Sequence, residues 1–367
     1  PPRYLKLLEI IPTKYTKKDI IEFMKDFGEN ILGKGIVFCK DTPNFIANRI
    51  GTYLMNKTVN IMLEDNYTIQ EVDAFTGTNI GHAKSATFRT ADVVGIDVLV
   101  HVLDNLSRDL KNDDEIEIFK VPEFIKKMVE SGVLGVKSKK GFYIKTREKE
   151  IKVLDYETGE YVSKKKLQFS SIAAAKNEEL VENKIRAMIG AQDRASLFLW
   201  KLFSSSFIYC VKRIGEIADT ILDMDNAMKW GWGQQLGPFE KIDALGVQDC
   251  VLRMKKEGMT IPERIEDFLA QGNKSFYRTE NGVEYYYDFR TRSYQKIERD
   301  SKVLILKNIK DQNKTIMSNT GASLIDIGDG VACLEYHSKM NSIGQDIISL
   351  SIKAVDEVNK NHQALVI

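Results

Sequence analysis

The chain of 367 residues is short of most features that would mark it for a specialised environment. Its four cysteines, Cys39, Cys210, Cys250 and Cys333, stand far apart and form no C-x-x-C pair. That excludes a zinc-ribbon spacing and a small disulfide framework, and fits reduced thiols in a cytoplasmic protein. No apolar run approaches the roughly 18 residues of a membrane helix. Charge of one sign is also missing: Lys+Arg 53 against Asp+Glu 52 leaves no whole-chain field for nucleic acid or an anionic membrane. The four histidines, His82, His101, His337 and His362, are scattered without ligand spacing, so no metal site is expected.

What is present is ordinary for a globular protein: 43% hydrophobic and 29% charged residues, in a chain long enough for two or three domains. The ends are unusual. The chain opens on Pro1-Pro2-Arg3-Tyr4 without an initiator Met and closes on the apolar run Ala364-Leu365-Val366-Ile367. Domain termini tend to be polar and frayed. Both ends therefore read as cuts through folded domains, and the chain as an internal fragment.

Periodicity predicts a strand over 5–11, a helix over 17–27 and a strand over 35–39, the tail of a parallel α/β unit. Helices follow over 44–63, 68–75, 88–109 and 122–130, then a Gly- and Lys-rich loop, 132–143. A charged connector, 151–162, carries a turn at Thr158-Gly159. A second helical block reads over 173–189, 192–214, 224–230, 238–245 and 247–257, with Pro262 opening another helix. Aromatic strands are predicted over 284–289 and 293–297, and a charged linker over 302–320. Strands 323–327 and 331–336 flank Asp329-Gly330, a hairpin signal. A helix over 344–361 and a strand over 364–367 end the chain.

The stretch that carries most information is Lys40-Asp41-Thr42-Pro43-Asn44-Phe45-Ile46-Ala47-Asn48-Arg49. It reads as the end of a strand and the abrupt start of a helix, with Thr42 or Asp41 as cap and Pro43 at the first helical position. Asn48 then lies beside Phe45, Ile46 and Ile50, where an amide needs a partner. Core backbone and a ligand are both open as that partner. Further on, Phe88 to Asp97 aligns with Phe239 to Gln248. Asp92/Asp243 and Gly95/Gly246 share one offset, and Asp73/Asp225 depart from it by a single residue. Arg49 and Arg194 sit in comparable long helices. A shared offset points to an internal duplication.

These residues resemble the L-3-hydroxyacyl-CoA dehydrogenases of β-oxidation. Residues 1–9 are similar to the segment after that family's catalytic histidine, and Lys40 to Arg49 match its Lys-Asp-Thr-Pro-x-Phe-x-x-Asn-Arg motif. Gly237-Pro238-Phe239-Glu240 with Asp243 resembles its Gly-Pro-Phe-Glu-x-x-Asp signature, and Gly141-Phe142-Tyr143 its Gly-Phe-Tyr close. Residues from Ser323 on, including Lys339-Met340-Asn341-Ser342, resemble the start of an enoyl-CoA hydratase (crotonase) domain, the order found in fused β-oxidation proteins. The implied fold is mixed α/β and all-α. It comprises the end of a Rossmann-like NAD-binding domain (1–40), a first helical dehydrogenase C-terminal domain (41–150) and a connector (151–172). A second helical repeat (173–275), a linker with a hairpin (276–320) and a truncated crotonase-like start (321–367) follow.

The implied activity is NAD-dependent oxidation of (S)-3-hydroxyacyl-CoA to 3-oxoacyl-CoA, with enoyl-CoA hydratase in the parent protein. An acyl-CoA thioester is the expected substrate, and a homodimer remains open. Family chemistry uses a histidine base charged by a carboxylate, and an amide at the reacting oxygen. By resemblance Glu9 is the carboxylate and Asn48 the amide. The histidine would lie four residues before Pro1 and the Gly-rich NAD turn further upstream, so no cofactor-binding residue is expected here and the fragment alone is expected to be inactive. Two departures stand out: Gly81 to Arg89 replaces a Pro-Met-Gly-Pro-Phe-Glu run, and Asn44 stands where Gly is usual, at a position expected to be helical. Arg49 is expected to ion-pair within the helical domain, with Asp92 as one partner. Asp92 and Asp243 are expected to brace helices, Trp230 and Trp232 to fill a helix–helix core, and Lys137, Lys139 and Lys140 to sit in a solvated loop or near a CoA phosphate. The rival readings are an acyl-CoA-binding or dimerisation scaffold without catalysis, and another NAD-dependent dehydrogenase acting on a polyol or sugar acid.

Overall fold

The structure, a computed structural model, describes residues 3–298, 303–338 and 341–367. Pro1, Pro2, the first position of the expected linker (302) and the Lys339-Met340 pair of the crotonase-like motif lie outside the described residues. The chain divides into two units, Pro1–Phe276 with Asp288–Arg292, and Tyr277–Tyr287 with Ser293–Ile367.

In the first unit, β1 (Leu7–Ile10) is followed by α1 (Lys18–Asp26), a π-helical turn (Phe27–Ile31) and β2 (Gly35–Phe38). The two strands pair in parallel, with Glu9 opposite Val37. A helix between parallel strands is the connection such a pair requires. The helical body begins with α2 (Ala47–Glu64), α3 (Ile69–Phe75), α4 (Phe88–Val94), α5 (Ile96–Asp109) and α6 (Glu123–Glu130). The helix expected over 88–109 is two helices. They break at Gly95, whose φ of 109° no L-residue adopts without strain. Local chemistry explains the start of α3: Thr68 Oγ1 accepts the Glu71 N–H at 3.2 Å and Glu71 Oε2 accepts the Thr68 N–H at 2.8 Å, a capping box.

A three-stranded antiparallel sheet of β3 (Tyr143–Lys145), β4 (Ile151–Leu154) and β5 (Tyr161–Ser163) closes the first helical half. The second half comprises α7 (Ser170–Ala175), α8 (Val181–Gly190), α9 (Arg194–Arg213), α10 (Ile221–Trp232), α11 (Pro238–Leu245), α12 (Val247–Lys256) and α13 (Glu263–Ala270). Asp193 caps α9 through the Ser196 N–H at 3.0 Å, and Lys212 and Arg213 sit in its last turn, where positive charge suits the helix dipole. One apolar core runs through both halves, from Tyr53 on α2 to Tyr209 on α9, whose rings stack 3.8 Å apart.

The halves repeat the same local devices. Asp73 accepts the N–H groups of Thr87, Phe88 and Arg89 at 2.7–3.2 Å, ahead of and within α4. Asp225 accepts those of Phe239 and Glu240 at 3.0 and 3.2 Å in α11. Asp92 takes the Phe142 and Tyr143 N–H groups, while Asp243 takes the Phe276 N–H and the Ser275 hydroxyl. Gly95 and Gly246 share nearly the same backbone, φ 109°/ψ 123° and φ 92°/ψ 110°.

The second unit holds a sheet of β6 (Tyr277–Glu280), β7 (Val283–Asp288) and β8 (Ser293–Lys296), followed by α14 (Leu306–Asp311) and β9 (Thr315–Ser318). The expected charged linker therefore contains a helix and a strand. Six-residue α14 and four-residue β9 are too short for periodicity to announce. The strands β10 (Ala322–Gly328) and β11 (Val331–Tyr336) form the expected hairpin, with Asp329 and Gly330 both at positive φ. Helix α15 (Gln345–Asn361) leads to β12 (Ala364–Val366), which lies parallel to β11. Its Ile347, Leu350, Ala354 and Val358 repeat at helical spacing and bury against Ala322, Leu324, Ala332 and Leu334.

Candidate active site

The site forms where β1 meets the start of α2. Side chains alternate along β1, so Leu7 and Glu9 share one face. Leu7 is buried and Glu9 half-buried. The Glu9 carboxylate reaches across to α2: its Oε1 accepts the N–H of Ile46 at 3.1 Å and of Ala47 at 2.9 Å. It also lies 3.5 Å from Cys39 Sγ, whose thiol donates to it. Cys39 arrives there because its own N–H continues the strand pairing to Ile10 O at 2.9 Å.

The helix thus begins three residues later than the sequence suggested. Residues Asn44 and Phe45 have φ of 62° and 51°, in the left-handed region, so a helix over 44–46 is impossible. The expected caps are also replaced. Ile46 occupies the N-cap position with no side-chain cap of its own, Thr42 Oγ1 is buried without a partner, and Glu9 from β1 satisfies the first free N–H groups. Negative charge is favoured there by the helix dipole. The left-handed turn also accounts for Gly being usual at position 44, which an expectation of helical geometry had missed. Among non-glycine residues, Asn tolerates positive φ best.

Asn48, one residue past the capped N–H of Ala47, is exposed. No hydrogen bond to its amide occurs among the described residues, so the satisfied core amide is excluded and the side chain stands open beside Glu9. None of the four histidines hydrogen-bonds Glu9. Glu9 and Asn48 are thus brought to one helix terminus, where Glu9 holds the N–H groups of Ile46 and Ala47 and Asn48 is the next residue along the helix.

The second helical half grips the same terminus. Trp232 Nε1 donates to Ala47 O at 2.8 Å, and its indole lies so close over Gly51 that a Cβ there would meet Trp232 Cε2 at 1.9 Å. Trp230 covers Gly35 in the same manner. Both tryptophans are half-buried: Trp232 packs α10 against α2, the expected helix–helix contact, whereas Trp230 packs it against β2. Nothing in the local sequence pattern signals this reach, because it joins positions 185 residues apart.

Below the site, Arg49 is fully buried and pairs with Asp113, Glu216 and the Tyr209 hydroxyl at 2.5, 3.0 and 2.6 Å. The expected partner, Asp92, is engaged instead by the Phe142 and Tyr143 N–H groups. Arg213 joins the cluster through Asp113 and Glu216, each at 3.1 Å. Lys137 pairs with Asp97.

Along α2 the face that carries Asn48 continues through Gly51, Met55 and Thr58, three to four residues apart. A cavity of about 130 Å³ lies on it, lined also by Leu54, His82 and Trp232. Behind it, Lys241 Nζ contacts His82 Nε2 at 3.0 Å and Gln234 Oε1 at 2.6 Å. Burial lowers the Lys241 ammonium to about 8, partly offset by Asp225 and Glu240. Burial and that ammonium together push the His82 pKa well down, so the ring is neutral. Among the described residues no helix is long and apolar enough to cross a membrane, and no cluster of three or more His, Cys, Asp or Glu is placed to hold a metal.

The site is a parallel strand pair delivering a carboxylate to the first turn of a helical body, and the chain has relatives among known proteins. Residues 45–145 match the 3-hydroxyacyl-CoA dehydrogenase, C-terminal domain family. A probable 3-hydroxyacyl-CoA dehydrogenase of Bacillus subtilis (strain 168) is 47% identical over all 367 residues, which cover 46% of that relative. A putative fatty acid oxidation complex trifunctional enzyme of Rickettsia prowazekii (strain Madrid E) is 28% identical over 97% of the chain and 45% of its own length. A crystal structure of 3-hydroxybutyryl-CoA dehydrogenase from Escherichia coli K12 superposes with a TM-score of 0.49 at 15% identity, covering 73% of this chain and 68% of that one. Residues 45–145 thus belong to the 3-hydroxyacyl-CoA dehydrogenase C-terminal domain family, and the whole chain aligns with a relative named for that activity. It spans about half the length of the curated relatives it matches.

Proposed function

We propose that this chain supplies the carboxylate and amide of a (S)-3-hydroxyacyl-CoA dehydrogenase site, working in the oxidation of acyl-CoA thioesters to their 3-oxo forms. The observation that carries the reading is the attachment of Glu9 Oε1 to the N-terminus of the helix that bears Asn48. Glu9 Oε2 has no hydrogen bond among the described residues and is left to receive an imidazole N–H, from a histidine that the family resemblance places ahead of Pro1. A carboxylate so placed orients the ring and stabilises the imidazolium that forms as the hydroxyl proton is taken. Asn48, two residues along the helix from the N-cap, donates its amide to the reacting oxygen. The acyl chain is assigned to the cavity that continues the Asn48 face over Met55 and Thr58.

NAD, the hydride acceptor of such a reaction, finds no cradle among the described residues. The turn after β1, residues 11–17, holds no glycine to let a pyrophosphate approach the backbone ahead of α1. The chain's own part is therefore orientation of the base and of the substrate oxygen.

The matching roles of Asp73/Asp225, Asp92/Asp243 and Gly95/Gly246 support two helical domains derived by duplication, the second bracing the first as a partner subunit would. The hairpin, α15 and parallel β12 suit the start of a crotonase-like domain, and the Rickettsia relative's name, a trifunctional enzyme of fatty acid oxidation, is consistent with a second activity such as a hydratase in the whole protein. Four unbridged thiols favour a reducing cytoplasmic setting. In the full-length protein, Glu9→Gln is expected to depress kcat for 3-hydroxybutyryl-CoA by at least about 100-fold while the Kd for NAD stays put. Unchanged turnover would remove Glu9 from the mechanism.

A further inference from the structure

Three donors converge on one atom of Glu9. The N–H groups of Ile46 and Ala47 and the thiol of Cys39 all reach Oε1, at 3.1, 2.9 and 3.5 Å, and none reaches Oε2. Two of these donors belong to the backbone of α2 and cannot be varied by sequence. The third is a side chain, 3% exposed, at the end of β2. We infer that Cys39 is a positioning residue for the dehydrogenase site: its S–H, together with the α2 N-terminus, occupies Oε1 and so leaves Oε2 as the only face of the Glu9 carboxylate that can meet the base. This rests on the reading of Glu9 given above.

A thiol suits the place for two physical reasons. It is a weak donor, so it fixes the carboxylate while taking only a small share of its charge, enough to be read as a shift in a pH profile and too little to quench the base's partner. It is also nearly as apolar as a methyl-bearing side chain, so it sits in the closed space between β1 and α2 where a stronger donor would need a second partner. The thiol stays protonated, because burial and the neighbouring Glu9 carboxylate push its pKa far up. It is therefore a donor throughout the working pH range and an unreactive nucleophile. The other charged groups on adjoining elements are already engaged. Asp223 of α10 accepts from the Phe38 N–H at 3.4 Å and from the Thr220 hydroxyl at 2.6 Å, and Lys40 pairs with Asp219 at 2.7 Å.

Removing the thiol frees charge on the carboxylate, which then holds the imidazolium proton more tightly. The base must lose that proton to work, so the acidic limb of the kcat/KM profile moves to higher pH.

The test uses the full-length enzyme and three variants, Cys39→Ala, Cys39→Ser and Glu9→Gln, with thermal unfolding to confirm that each is folded. Cys39→Ala is expected to shift the acidic limb upward by about half a pH unit, and Cys39→Ser, a stronger donor, to bring the limb back to the wild-type position or below it. A superimposable profile for Cys39→Ala, or the same shift in the Ser variant, would overturn the inference. Glu9→Gln separates the two levels: full turnover in that variant refutes the underlying assignment of Glu9. A dead Glu9→Gln beside an unshifted Cys39→Ala refutes only the role of Cys39.

Discussion

Arg49 and Asp113 form an ion pair sealed from solvent, Nη2 to Oδ2 at 2.5 Å with side-chain exposures of 0% and 1%. The same Asp113 oxygen also accepts the Tyr209 hydroxyl at 2.9 Å and faces Arg213 Nη1 at 3.1 Å. One carboxylate thus holds two guanidinium groups, from α2 and α9. Losing it leaves both cations partly uncompensated, whereas losing Arg49 leaves Asp113 with Arg213. Asp113→Asn is therefore expected to cost about 3–5 kcal/mol, and Arg49→Met distinctly less. Urea denaturation of the two variants checks the order, and equal losses would contradict it.

Gly51→Ala places a Cβ within 1.9 Å of the Trp232 indole. Alanine is the better helix former by about 1 kcal/mol, so propensity alone forecasts stabilisation. Steric overlap wins, and a loss of about 1–3 kcal/mol is expected, as for other overpacked sites. Adding Trp232→Ala should recover part of that loss. Strict additivity in the double-mutant cycle would disprove the contact.

At Asn44 the left-handed φ of 62° sets the sign. Asn44→Gly should be neutral or stabilising by up to about 1 kcal/mol, and Asn44→Val should cost about 1–2 kcal/mol. Melting temperatures decide it. A tolerated valine would show that the turn rearranges.

Asn48 and Glu9 should separate by stability. Asn48 is exposed, so Asn48→Ala is expected to change stability by no more than about 0.5 kcal/mol, yet to lower kcat/KM. Glu9→Ala uncaps α2 and should cost about 0.5–2 kcal/mol as well as turnover. If Asn48→Ala unfolded the protein while its folded fraction kept full activity, Asn48 would be structural.

Half-buried Asp73 and buried Asp92 both have pKa values raised to about 6 by desolvation, against the pull of their backbone N–H partners. The native state then binds protons more tightly than the unfolded chain. Their stabilising contribution is full below the ordinary aspartate value and is lost as pH rises through about 6. Between pH 4 and 7 the stability of the wild type relative to Asp73→Asn should fall. A constant difference across that window would refute the sign.

The elements most legible in the sequence are those with strong local chemistry. The Thr68 to Glu71 capping box, Pro238 at the head of α11 and Asp329-Gly330 in the hairpin all announce themselves within a few residues. The break at Gly95 and the start of α2 do not, because both are decided by backbone angles and by a carboxylate arriving from another strand. Glu9 and Asn48 were readable through their motifs, but not their common anchorage. Cys39 was visible as the residue directly before Lys40, yet only its distance to Glu9 gives it a role. Trp232 was seen as core filling, since helical periodicity reports that a face is covered and not by what. The partners of Arg49 lie 64 and 167 residues away, beyond the reach of any local rule.

The bond from Trp232 to the Ala47 carbonyl has a consequence for heredity. Neither of the two side chains proposed for the reaction belongs to the second helical half, yet its α10 holds the opening turn of α2 through Trp232. Trimming that half away, or exchanging it for a relative's, would loosen the turn on which Glu9 and Asn48 both depend. The two helical halves are thereby bound to be inherited together, and drift at position 51 is admissible only in step with drift at position 232.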